Sequence, residues 1–95
     1  MHIISRKALR EFARRHPDSK NALDSWFHLL RTNQFESFTT LREVFPSADK
    51  VGPLVVFNIG GNKYRLIASI HFNRQKVFVR HILTHREYDK GAWKK

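Results

Sequence analysis

The order of apolar and polar positions divides the chain into a helical first half and a strand-rich second half. Over residues 6–16, and again from 18 or 19 to about 31, apolar residues recur every three or four positions, which predicts two amphipathic helices. Pro17 ends the first helix, and so short a link predicts that the two are antiparallel neighbours. Residues 47–53 have the composition of a loop. The helices are therefore expected to pack on the back of the strands that follow.

The second half alternates apolar and polar residues with the period of two that is typical of β-strands. Three strands are predicted over about 54–59, 63–72 and 76–83. The glycine pair at 60–61 is predicted to form the tight turn between the first two strands, because glycine adopts positive φ angles at little cost. The helices are predicted to pack on the back of the hairpin around this turn, and the last strand and the tail are predicted to complete a site on its front.

The register of these strands sorts their side chains onto two faces. With a two-residue loop at each turn, Val56 lies opposite Arg65, and Ser69 lies opposite Arg80. One face is almost wholly apolar, includes His81 as a core histidine, and is predicted to lie against the helices. The opposite face, called the front face below, is basic and bears hydroxyl groups. It is predicted to carry Asn58, Lys63, Arg65, Ser69, His71, Arg80 and Thr84, with Leu54, Val56, Ile67, Phe78 and Ile82 among them.

Charge is the strongest compositional signal. The chain has 18 Lys and Arg residues against 8 Asp and Glu residues, a formal net charge of +10. This excess predicts a polyanionic partner such as nucleic acid. An anionic membrane, an acidic protein or a merely solvated basic surface would also fit.

Residues 1–95 are predicted to form a single domain in the cytoplasm. The chain has no cysteine, which excludes disulfides and thiolate metal sites. Its N-terminal segment lacks the apolar core of a signal peptide, and no apolar stretch approaches the ~20 residues of a membrane span. Neither a cofactor nor membrane association is expected.

Arg65 is the first candidate functional residue, because an arginine in the middle of a strand is costly unless it meets solvent, a carboxylate or an anion. Its planar guanidinium can hold a phosphate with two parallel hydrogen bonds. Lys63 and Arg80 are predicted to converge with it on the front face. An ordinary exposed arginine, or one paired with Glu87, is the alternative.

The tail after the last strand supplies the second candidates, His85 and Tyr88. Histidine titrates near physiological pH and suits proton transfer, while tyrosine could stack on a base or donate a proton. Both could instead merely pack a C-terminal turn. His81 and His85 are not predicted to bind a metal ion together, because His81 is assigned to the helical face.

The stretches VFNIGGNKYRLIASI and RHILTHREYD resemble the HigB-type toxins of bacterial toxin–antitoxin modules, within the RelE/ParE superfamily. The resemblance runs essentially end to end. It implies an α+β, RelE-like fold with two N-terminal helices packed on a curved antiparallel β-sheet. It also implies metal-independent cleavage of mRNA, usually at the ribosomal A site. A helix-turn-helix antitoxin would neutralise the toxin in an oligomeric complex.

The resemblance also implies roles for particular residues. Arg65 would bind the scissile phosphate, with Lys63 and Asn58 as its neighbours. His85 and Tyr88 fall in the C-terminal motif that supplies the acid–base or stacking group. The general base stays open, since this chain has Val56 and Asn58 where better-studied relatives have two lysines. The predicted catalytic residues are Arg65, His85, Tyr88 and Lys63, and the predicted RNA-binding residues are Asn58, Arg80, Arg86 and Ser69.

The cleavage predicted from these groups uses the 2′-hydroxyl of the RNA as nucleophile and leaves a 2′,3′-cyclic phosphate. Two other functions remain open. Toxins of the ParE type, on the same scaffold, poison DNA gyrase and need no catalytic histidine. A non-catalytic RNA-binding module is the third possibility, and the motif THREYD favours the nuclease over both.

Overall fold

A five-stranded mixed sheet forms the centre of the structure, a computed structural model that describes residues 1–94. The fold is α+β, with the first three α-helices on one face of the sheet and Tyr88 of the last α-helix packed on the other. Short 3₁₀ turns cover Pro17–Ser19, Phe72–Arg74 and Ala92–Lys94. The regular elements are β1 (His2–Ile4), α1 (Arg6–Arg15), α2 (Lys20–Thr32), α3 (Phe38–Val44), β2 (Asp49–Val51), β3 (Leu54–Ile59), β4 (Tyr64–His71), β5 (Lys76–Thr84) and α4 (His85–Lys90).

The strands lie in the order β1-β5-β4-β3-β2. The pairs that are adjacent in sequence, β2 with β3, β3 with β4 and β4 with β5, are antiparallel, whereas β1 runs parallel to β5. The prediction of a purely antiparallel sheet is therefore wrong at this edge. Strands β1 and β5 are far apart in sequence and are not joined by a hairpin, which would have made them antiparallel. The prediction of a loop over 47–53 missed β2, which is only three residues long.

Helices α1 and α2 form as their apolar spacing predicts, and their apolar sides pack on the sheet. The ring of Trp26 meets that of Phe57 edge to face at 5.4 Å, and Phe12 meets Tyr64 at 5.2 Å. Burial of one large apolar side chain contributes ~1.5–3 kcal/mol, more than an exposed ion pair. This packing, and not surface charge, holds the helices on the sheet. The core also includes Leu9, Leu23, Leu30, Leu41, Leu66 and Val77.

The hairpin between β3 and β4 forms at the glycine pair, but its loop spans four residues, 60–63, where two were predicted. Gly60 and Gly61 have φ angles of 63° and 69°, as the turn prediction requires. Asn58, and not Val56, therefore lies opposite Arg65. Because the register error is two residues, each side chain of β3 and β4 still lies on the face that was predicted.

A β-bulge at Arg80 reverses the faces of the last four residues of β5. Ala68 pairs with Val79 but Ile67 pairs with His81, so Arg80 is the extra residue. The predicted positions beyond the bulge are therefore wrong. His81 is exposed on the front face and is not a core histidine, whereas Ile82 packs with the helical core and Thr84 pairs with Tyr64 on the helical side.

Candidate functional site

Arg65 lies in the middle of β4 with its side chain on the front face. It is only 9% exposed, and its guanidinium carbon lies 5.5 Å from the centre of the Tyr88 ring. One of its five N–H donors, on Nη1, bonds the main-chain carbonyl of Tyr64 at 3.1 Å. Among residues 1–94, no carboxylate lies within 4 Å of its nitrogens. This nearly buried cation therefore has aromatic and amide neighbours but no counter-charge in the part of the chain described.

The two strands beside β4 supply the nearest side chains. Asn58 lies directly across on β3 and is exposed, and Leu83 lies across on β5. Residues paired in this way have Cβ atoms about 5 Å apart. The amide of Asn58 is thus available beside the guanidinium, where a phosphate oxygen could accept hydrogen bonds from both.

Residues 85–94, called the C-terminal segment below, cover this part of the front face. The rings of Tyr88 and Trp93 stack 5.1 Å apart and 14° from parallel, and Trp93 Nε1 donates a hydrogen bond to the Tyr88 carbonyl at 3.0 Å. Trp93 packs on Val56 and Ile67, which explains why apolar residues occur on a face predicted to be basic. Sequence reasoning missed the role of Trp93, because a spacing of five residues matches neither a helical nor a strand period.

Helix α4 begins with a capping box that fixes its position at the end of β5. Glu87 N donates to Thr84 Oγ1 at 3.2 Å, and Thr84 N donates to Glu87 Oε1 at 2.9 Å. The second of these bonds lowers the pKa of the Glu87 carboxyl below its ordinary value. Glu87 is thus committed to the cap, and the predicted alternative in which it pairs with Arg65 does not occur.

His85 is the first residue of α4, and its ring is exposed. Its main-chain N–H donates to the Lys63 carbonyl at 3.0 Å, which ties α4 to the hairpin turn. The ring Nε2 lies 3.3 Å from Asp89 Oδ2, one helical turn along. His85 therefore lies two residues beyond the position opposite Arg65, and a neighbouring carboxylate orients its ring.

The structure does not bring the Lys63 ammonium to Arg65. Lys63 Nζ lies 3.3 Å from Asp18 Oδ2, and the Tyr64 hydroxyl donates to Asp18 Oδ1 at 2.6 Å. The predicted position of Lys63 on the front face is wrong, because the four-residue turn places it beside the helices. The hydrogen bond from Tyr64, together with Lys63, lowers the pKa of Asp18, and the same carboxylate raises the pKa of Tyr64.

Two of the remaining predicted RNA-binding residues, Ser69 and Arg80, lie away from Arg65. Ser69 lies four residues further along β4, a distance of about 13 Å at the usual strand rise. Arg80 lies at the bulge, with its guanidinium carbon 6.0 Å from the Phe78 ring, and Arg86 is exposed on α4. The structure thus places Asn58 and Tyr88 beside Arg65 and His85 just past the end of β5, and it leaves Ser69 and Arg80 at the other end of the front face.

A separate groove lies between α1 and α2. It has a volume of about 560 Å³ and an apolar floor that includes Leu9 and Phe27. None of the predicted site residues lines it. Its rim is strongly basic and is formed by Arg6, Arg10, Arg14, Lys20 and Arg31.

Neither grouped metal ligands nor a membrane-spanning helix occurs in the described part of the chain. Within residues 1–94, no three His, Cys, Asp or Glu side chains are grouped in a way that could hold a metal ion. In the same residues, every helix is too short or too polar to cross a membrane.

Comparison with known proteins gives one consistent family. The family model for HigB toxins, the RelE-like toxic component of a toxin–antitoxin system, matches residues 19–91. The chain is 38% identical over 92 residues to the mRNA interferase toxin HigB of Escherichia coli K12 and to the mRNA interferase HigB of Shigella flexneri, covering 94% of this chain and 88% of each relative. The mRNA interferase HigB of Escherichia coli O6:H1 is 38% identical over 93 residues, 95% of this chain and 90% of that protein. The family-model match runs from α2 to α4 and includes the strand that bears Arg65.

Proposed function

This chain belongs to the HigB family of RelE-like toxins, and on that basis we propose that it is an endoribonuclease, an mRNA interferase that cleaves messenger RNA on the ribosome. The observation that supports this most strongly is the state of Arg65. A guanidinium that is 9% exposed and has no carboxylate near it in the described chain is costly until an anion binds. An RNA phosphate beside Tyr88 and Asn58 would supply that anion.

The proposed reaction uses the RNA's own 2′-hydroxyl. Its oxygen attacks the adjacent phosphorus and loses its proton to a base, the bond from phosphorus to the 5′-oxygen breaks, and that oxygen takes a proton from an acid. The products are a 2′,3′-cyclic phosphate and a free 5′-hydroxyl. No metal ion takes part in this scheme, because cationic side chains stabilise the charge that develops on the phosphate.

Arg65 and His85 have the central roles in this proposal. Arg65 donates hydrogen bonds to the phosphate as negative charge grows on its oxygens, a contribution commonly worth about 10²- to 10³-fold in rate. His85 transfers the protons; if Asp89 accepts a bond from its Nε2–H, the other ring nitrogen is left as the base. Asn58 and Tyr88 position the phosphate and a neighbouring base.

The partners follow from the same family membership. We propose that a helix-turn-helix antitoxin neutralises the toxin in an oligomeric complex, and that cleavage occurs in the cytoplasm at the ribosomal A site. The sheet is expected to curve around the bound message, as the RelE-like arrangement implies.

The test is primer extension on a message translated by purified ribosomes. The wild-type chain should produce discrete breaks within codons, and Arg65→Ala should cut at least about 100-fold more slowly. Arg31→Ala, an exposed arginine of α2 on the opposite side of the molecule, is the matched control and should cut at the normal rate. Intact messages together with double-strand breaks in DNA would refute the proposal in favour of gyrase poisoning.

A further inference from the structure

The front face has two parts, and only one of them lies under the C-terminal segment. Val56, Ile67 and Leu83 form a cluster with Tyr88 and Trp93, which closes the part around Arg65. The strands continue beyond this cluster toward the far ends of β4 and β5. There the structure has a second group of side chains that belongs to neither apolar cluster.

Phe78 is the centre of this second group. It is half-buried, lies opposite Ser69, and has the His71 ring edge-on at 5.2 Å. The guanidinium carbon of Arg80 lies 6.0 Å from the centre of the ring, and Ser69 Oγ lies 3.5 Å from His71 Nε2. Arg80 is the extra residue of the bulge and has no partner on β4, whereas in a regular strand it would be paired. The bulge therefore places Arg80 in this group.

An aromatic ring on an open sheet surface, flanked by cationic and hydroxyl groups, suits a nucleobase more than a protein side chain. Bases stack on aromatic rings whatever their identity, while arginine contacts the backbone that joins them. A protein hot spot would instead be ringed by apolar neighbours that exclude water. Phe78 has one apolar neighbour across the sheet, the half-buried Ile4 on β1. Its other neighbours are Ser69, His71 and Arg80, of which His71 and Arg80 are exposed.

We infer that this end of the front face is a nucleotide subsite, in which Phe78 stacks a base of single-stranded RNA and Arg80 and His71 bind the adjoining backbone. The inference rests on the proposed RNA cleavage and adds a second contact point to it. The subsite lies about 13 Å from Arg65 along β4, so it holds a nucleotide outside the cleaved bond. Together the two points would fix the path of the message across the sheet.

The test measures binding of a fluorescein-labelled, fully 2′-O-methylated single-stranded RNA of about eight nucleotides at low salt, by anisotropy. Without 2′-hydroxyls the probe resists the proposed cleavage. Phe78→Leu keeps an apolar side chain and should weaken binding roughly tenfold, the scale of one lost base stack. Phe78→Tyr keeps a ring of the same size and should bind within about twofold of the wild type.

The chain offers a closely matched control in Phe38 and Arg42 on α3. The Arg42 guanidinium carbon also lies 6.0 Å from its aromatic neighbour, but this pair lies on the helical side. Phe38→Leu should leave RNA affinity unchanged. Arg80→Ala should reduce the slope of log affinity against log salt by about one, whereas Arg42→Ala should not change it.

Wild-type affinity in Phe78→Leu, or no binding by the wild type at low salt, would overturn the subsite. So would loss of antitoxin capture in Phe78→Leu with RNA binding intact, since the surface would then be a protein interface. Thermal unfolding of each variant shows whether it is folded. If Phe78→Leu binds normally but Arg65→Ala abolishes cleavage, only the subsite fails; if wild-type protein leaves messages intact, the proposed function fails instead.

Discussion

At the scale of single residues, the proposed cleavage depends on Arg65, whose side chain is largely shielded from solvent. Arg65 donates one hydrogen bond to a main-chain carbonyl and lies over the Tyr88 ring, so these contacts fix its position in the protein without a ligand. Donors that are fixed in place stabilise developing charge without the cost of reorganisation. Lys63 differs from Arg65 because its ammonium already has a carboxylate partner in Asp18.

Arg65→Lys should lose activity almost as completely as removal of the side chain. Lysine keeps the charge but lacks the planar fork of donors, and it cannot stack as a flat group on Tyr88. We expect a loss of about 10²-fold in the cleavage rate with a normal circular dichroism spectrum. Cleavage by Arg65→Lys at the wild-type rate would show that charge alone suffices.

Lys63→Ala should have a much smaller effect, because the ammonium is exposed and is held by Asp18 on the helical side. We expect the cleavage rate to fall by less than about tenfold in the same assay. A loss as large as that of Arg65→Ala would mean that Lys63 leaves Asp18 and acts on the RNA directly.

At the scale of elements, the C-terminal segment turns an exposed sheet face into a partly buried one. The stack of Tyr88 on Trp93 and the hydrogen bond between them make residues 85–94 one packed unit. This unit covers Val56 and Ile67 and reduces the exposure of Arg65. The segment therefore contributes both to stability and to the environment of the guanidinium.

Trp93→Ala should destabilise the chain by about 3 kcal/mol, because it exposes the apolar residues beneath it and leaves Tyr88 without its partner. Trp93→Phe keeps the stack and loses only the Nε1 hydrogen bond, so its cost should be about 1 kcal/mol. Urea unfolding followed by circular dichroism measures both values. Equal stability of wild type and Trp93→Ala would show that the segment does not pack as described.

The sequence pattern predicts some of these elements correctly and misses others. Helical spacing, proline positions and the glycine pair predicted α1, α2 and the hairpin, and even a two-residue error in register left Arg65 and Asn58 on the front face. The bulge at Arg80 could not be predicted, because no residue type marks it in the sequence. As a result His81, which was predicted to lie in the core, is exposed on the front face. Lys63 was misplaced because loop length decides whether a residue belongs to a turn or a strand.

At the scale of the whole molecule, carboxylates with lowered pKa values join the hairpin and α4 to the rest of the fold. Asp18 holds the hairpin through Tyr64 and Lys63, and Glu87 closes the cap of α4. Both carboxyls have folded pKa values below their ordinary ones. Their contribution to stability is therefore complete above the unfolded pKa values and is lost as pH falls through the folded ones.

The free energy of unfolding should consequently vary little between about pH 7 and pH 5 and decrease below about pH 4. Tyr64→Phe removes the hydroxyl that donates to Asp18, so the stability difference between it and the wild type should shrink as pH falls through this range. Urea unfolding at a series of pH values measures the difference. A gap that is constant from neutral to acid pH would contradict the assignment.

In the proposed reaction, the front face cleaves RNA through the RNA's own 2′-hydroxyl, with Arg65 bound to the phosphate. The most direct measurement is the single-turnover cleavage rate of a message with one 2′-deoxynucleotide at the cleaved position, beside the all-ribose message, on ribosomes. The deoxy message should stay intact at that position, and the ribose message should yield a 2′,3′-cyclic phosphate. Cleavage of the deoxy message at an unchanged rate would contradict the proposed reaction.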